Sequence, residues 1–136
     1  MKFKISAMAA AIALSLFFAN SLAAQKPPTA VQTAFQQKFP NASDVDWSKE
    51  KNGEWEAEFE TPGDHEKSAN FSADGKWLET ETEIKFSELP APIQSALQGK
   101  KVREVARIEK ADGSTLFEAE VNRKDLLFDA SGKRLN

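Results

Sequence analysis

The stretch Phe71-Ser72-Ala73-Asp74-Gly75-Lys76-Trp77-Leu78 returns near the C-terminus as Phe128-Asp129-Ala130-Ser131-Gly132-Lys133-Arg134-Leu135. Each copy sets an apolar strand end, a polar residue-glycine pair and a second apolar residue in the order a tight hairpin requires, with glycine supplying the positive φ of the turn. The chain thus reads as one unit written twice. Pro90 to Gln98 matches Pro28 to Gln36 at a constant offset of 62, and the same offset aligns Leu116-Phe117-Glu118-Ala119-Glu120-Val121 with Glu54-Trp55-Glu56-Ala57-Glu58-Phe59. The copies differ in length at their turns, Asn52-Gly53 against Asp112-Gly113-Ser114-Thr115, where insertions are tolerated.

Outward from the hairpin, Pro27-Pro28 open a helix whose apolar stripe is Val31, Ala34, Phe35 and Phe39, and Pro40 ends it. Val45 and Trp47 alternate with polar residues as a first strand. Asn52-Gly53 turns the chain into a second, where Trp55, Ala57 and Phe59 alternate with Glu54, Glu56, Glu58 and Glu60. Lys67 to Phe71 is a third strand and Lys76 to Ile84 a long fourth, with Trp77, Glu79, Glu81 and Glu83 on one side of it. In the second copy Ser87 is placed to cap a helix that Pro90 or Pro92 enters.

The expected fold is α+β: a tandem repeat, 27–84 and 86–136, each unit one helix plus a four-stranded antiparallel sheet. Joined side by side, the units form a continuous curved sheet of about eight strands, with both helices on one face over a shared interior and the other face open and charged.

Met1-Lys2-Phe3-Lys4 precedes an apolar run from Ala7 to Ala19 and a small-residue stretch Ser21-Leu22-Ala23-Ala24, the pattern of a signal peptide cleaved after Ala23 or Ala24. The run is too short to span a bilayer, so residues 1–23 leave no membrane anchor after cleavage, and residues 24–136 form the exported periplasmic or secreted domain. Of 18 basic residues two lie in the leader; against 21 acidic ones the exported chain carries 16 minus 21, or −5. With no clustered basic surface, nucleic acid is excluded as a partner. The absence of cysteine leaves stability to packing alone.

At this point the residues resemble a known family. The export signal, Phe39-Pro40 closing the first helix, Val45 to Trp47, the aromatic-alternating strand Trp55 to Phe59, Phe71 to Leu78 and Leu89-Pro90 opening the second helix look like the PepSY-like, beta-lactamase-inhibitor-like periplasmic proteins. The resemblance implies a tandem helix-and-sheet fold without known catalysis. In the related inhibitor a concave sheet face and loops clamp an enzyme, and PepSY modules are associated with restraining peptidases.

Chemistry is sparse. His65, the one histidine, reads as a solvated turn residue, and without cysteine or a second histidine neither a tetrahedral zinc site nor a Cys/His nucleophile can form. No cofactor is implied. Glu56, Glu58, Glu118 and Glu120 are the candidate partner-binding carboxylates. The plain alternative for them is cross-strand pairing with Lys49, Lys67, Arg107 or Lys124 on a flat, wet face that leaves their acidities alike. Trp77 and its counterpart Arg134 are candidate interface anchors, the alternative for Trp77 being that it covers a neighbouring strand or helix end. Trp47 and Trp55 belong to the core, so Trp55→Ala should cost about 3–5 kcal/mol, whereas Glu56→Ala should cost under about 0.5.

The function reached is an exported, non-catalytic binding module whose open sheet face and hairpin tips contact a protein, an envelope peptidase or other hydrolase that it restrains. A protein that binds a small ligand, glycan or divalent cation through the carboxylates is the alternative, and a small hydrolase with a carboxylate pair a third.

Overall fold

The protein is described by a computed structural model over residues 25–63 and 65–136, so the signal-peptide reading lies outside the described residues. Helix α1 (Thr29–Lys38) starts where Pro28 accepts hydrogen bonds from the Val31 and Gln32 amides, and it buries Val31 and Phe35. Strands β1 (Ser43–Lys49), β2 (Trp55–Thr61), β3 (His65–Phe71) and β4 (Trp77–Glu83) follow. After a 3-10 turn at Phe86–Glu88 come helix α2 (Ala91–Ala96) and strands β5 (Val102–Lys110), β6 (Thr115–Val121) and β7 (Lys124–Asp129). The seven strands form one antiparallel sheet in sequence order.

The β4–β5 ladder, from Glu79↔Lys110 to Glu83↔Ala106, joins the halves without a break. Both helices lie on the same side. Val31 and Phe35 pack with Trp55, Ala57, Phe59, Ala69 and Phe71, while Leu89, Ile93 and Leu97 pack with Val105, Phe117, Ala119, Val121, Leu126 and Phe128. The register Phe59↔Lys67↔Thr82↔Arg107↔Phe117 carries that side across the sheet.

The structure departs from the sequence-based expectation at three points. The interior is two clusters rather than one, because the residues carrying the helix side through the seam are Thr80, Thr82, Arg107 and Glu109. The second half has three strands, so the described sheet has seven. Beyond the last hairpin, pairing shrinks to one bridge, Phe128↔Arg134, and the Asn136 side chain takes over the edge by accepting from the Leu127 amide and donating to the Asp125 carbonyl. Ser87 is not a cap. The amide of Lys85 donates to the Glu88 carboxylate at 2.7 Å, and α2 begins at Pro90 without a side-chain cap.

Candidate functional site: the helix-free carboxylate face

Alternation sends Glu56, Glu58 and Glu60 of β2 to the side away from the helices. Opposite them stand Asn70, Ser68 and Glu66 of β3, which pair in turn with Glu79 and Glu81 of β4. The face continues through Ala106 and Ile108 of β5, Leu116, Glu118 and Glu120 of β6, and Leu127 and Asp125 of β7. Bulges interrupt β1 between Ser43 and Asp46, the β3–β4 pairing at Asn70/Phe71, and β5 between Val102 and Val105, and such irregularities bend a sheet.

The acidic side chains at the middle of this face are nonetheless buried. Glu56 and Glu81 are each 6% exposed and Glu118 is 8% exposed, although neither helix packs over them. The face is therefore not flat and wet. Burial lifts the Glu56 carboxyl to about 8, with Glu50 and Glu58 adding repulsion. Burial likewise lifts Glu118 to about 8, helped by Asp125, Glu79 and Glu120. Glu81 goes well above the carboxylate range for the same first cause, then through Glu118 and Glu56.

The proposed neutralising partners are elsewhere. Lys49 pairs with Trp55, Lys67 with Phe59, Arg107 with Phe117 and Lys124 with Val121, so all four stand at helix-side positions. Among the described residues, Lys110 reaches the acidic side 3.7 Å from Glu79, and Arg103 reaches it 3.3 Å from Glu120 and 3.8 Å from Glu104. Segregation by strand register has concentrated acid on one face that the sequence intersperses with base.

Of the six candidate residues, Glu56, Glu58, Glu118 and Glu120 share this face, and Trp77 and Arg134 leave it. Trp77 pairs with Phe71 across the bulge, which inserts Leu78 and turns the indole to the helix side. There it packs against the first cluster, donates from Nε1 to Thr80 Oγ1 at 2.9 Å, and carries Lys38 Nζ 3.6 Å above its ring. It covers the end of α1 and is not an exposed anchor. Arg134 aligns with Phe128, whose side chain lies in the second cluster.

Sequence reasoning passed over Glu81, Glu104 and Asp125 as site residues. The Glu79, Glu81, Glu83 alternation was the available signal, since a strand at the middle of the sheet has neighbours on both edges to bury its side chains. Glu56, Glu81 and Glu118 all shift upward, whereas a glycosidase pair needs acidities driven apart. Among the described residues no three acidic or histidine side chains converge as a metal site.

The class defined is an open-sheet α+β protein, helices on one side and a buried-carboxylate face on the other. The chain belongs to the PepSY-like family: residues 54–135 match the family described as "Putative beta-lactamase-inhibitor-like, PepSY-like". A BLIP-like protein from Bacteroides fragilis is similar at 29% identity and TM-score 0.69, over 82% of this chain and 85% of that one. A DUF2874 family protein from Bacteroides ovatus is similar at 23% identity and TM-score 0.73, over 82% and 86% of the two chains. A "putative periplasmic" protein from Bacteroides eggerthii is similar at 22% identity and TM-score 0.74, over 82% and 88%. No curated protein matches the chain in sequence.

Proposed function

We propose that this is an exported, non-catalytic binding module whose helix-free face docks a basic surface of a protein partner in the periplasm. The observation that carries the reading is that Glu56, Glu81 and Glu118 are buried on one face and, among the described residues, none of them forms an ion pair. Evolution of a purely structural sheet would place apolar or paired groups there, because burying unpaired carboxyls costs stability. A partner bringing lysine or arginine supplies the cation that lets these buried carboxyls ionise, while the more exposed acids around them steer it to the face. The partner class we propose is an envelope peptidase or other hydrolase restrained by occlusion, which the inhibitor-like family description supports.

The test is crosslinking capture from periplasm with the intact protein, followed by mapping of the linked residues. Links should flank Glu58 and Glu120 and be lost in Glu58→Lys/Glu120→Lys. Links confined to the helix side, or capture unaffected by charge reversal and by raised salt, would contradict the reading.

A further inference from the structure

We propose, resting on that reading, that the hollow between β4, β5, β6 and β7 receives one primary ammonium group, a lysine side chain presented by the protein partner. The hollow measures about 20 Å³ and is walled by Glu81, Glu83, Glu104, Glu118, Glu120 and Asp125. That volume holds one water-sized group. Glu81 and Glu118 enter it more than nine-tenths buried, and neither has a hydrogen-bond or ion-pair partner among the described residues. Arg103 reaches only the outer pair, Glu104 and Glu120, and is itself largely exposed.

The shape selects among cations. An ammonium is compact and carries three donors, matching acceptors arranged around a small space, whereas a guanidinium is a wide planar fork that would not enter. A divalent ion would need ligands brought to bonding distance, and no group of three or more does so among the described residues. Around Glu81 and Glu118 stand Glu56 from β2, Glu79 and Glu83 from β4, Glu104, Arg103 and Lys110 from β5, Glu120 from β6 and Asp125 from β7. Lys110 is engaged with Glu79, so carboxyl groups dominate. Burial holds the Glu81 and Glu118 carboxyls protonated, so an entering ammonium favours their ionised forms and releases protons, and binding strengthens as pH rises toward the Glu118 value of about 8.

The experiment is a ¹⁵N NMR titration of the protein with Nα-acetyl-lysine methylamide, against the arginine and norleucine equivalents. The lysine probe should shift the Glu81, Ala106 and Glu118 amides saturably, at least about fivefold more tightly than the arginine probe, with no response to norleucine. Glu81→Gln/Glu118→Gln should weaken it at least about tenfold. Should that variant misfold, Glu120→Gln/Asp125→Asn should weaken it at least about threefold.

Equal response to lysine and norleucine, arginine binding as tight as lysine, or unchanged affinity in the variant that folds would each overturn the inference. No probe binding beside a partner crosslinked to this face removes only the ammonium receptor. Probe binding in the hollow without any docking protein removes only the earlier reading.

Discussion

Glu56 stands between Ser48 on β1 and Asn70 on β3, neither of which can neutralise it. Its folded acidity near 8 against an ordinary 4.5 means the folded state holds a proton that the unfolded state has released over that interval. Stability from this group is complete below about pH 4.5 and is lost as pH rises through about 8. Glu56→Gln, which keeps the shape and removes the titration, should therefore be neutral at pH 4.5 and stabilising at pH 8.5 by about 1 kcal/mol or more. Urea midpoints at the two pH values measure it, and a destabilised variant at pH 8.5 would show the carboxylate to be ionised and satisfied. This replaces the expectation of indifference drawn from alternation. Trp55 keeps its expectation. It is 6% exposed within the first cluster, so Trp55→Ala should lower stability by about 3–5 kcal/mol in the same melts.

At the level of elements, each recurring hairpin leans on the start of its own helix. A Cβ on Gly75 would lie 2.7 Å from the Ala30 carbonyl oxygen, and one on Gly132 would lie 2.6 Å from Pro92 Cβ. Gly75→Ala and Gly132→Ala should each cost about 2–4 kcal/mol, combining a strained positive φ with a displaced helix. Gly53→Ala, with the same backbone sign but open space around it, should cost about 1 kcal/mol. Thermal melts rank the three, and equal losses would mean that the hairpins do not brace the helices. The elements were legible in the sequence because Asn52-Gly53, the alternation of Trp55 to Phe59 and the α1 stripe are each local signals. The bulge beside Trp77 was not, because whether β4 gains a residue is decided by the indole finding cover under α1 and Thr80, a contact between distant parts of the chain. The depth of Glu81 was hidden for a related reason. Period two assigns a face but says nothing of how deeply its neighbours bury a side chain on it.

Across the whole molecule, two helix-backed clusters hang on one ladder of backbone hydrogen bonds, with a polar seam between them. Hydrophobic burial is the main source of cooperativity, and here it does not cross the seam. Trp47, Trp55 and Trp77 all belong to the first cluster, so tryptophan fluorescence reports that half alone, whereas far-ultraviolet circular dichroism reports both. Ile93 is fully buried in the second cluster, and Ile93→Ala should remove about 2–5 kcal/mol from it. In urea the dichroism of this variant should fall in two steps, while the fluorescence midpoint shifts by less than half as much as the first dichroism step. If both probes move together, the β4–β5 ladder and the carboxylate face couple the halves into one unit despite the divided interior. Raising the pH sharpens the comparison. Glu81 and Glu118 stand on either side of β5 and interact electrostatically across it, so ionising them adds repulsion between β4 and β6. The gap between the two probes should therefore widen from pH 5 to pH 9, and Glu81→Gln/Glu118→Gln should hold it constant.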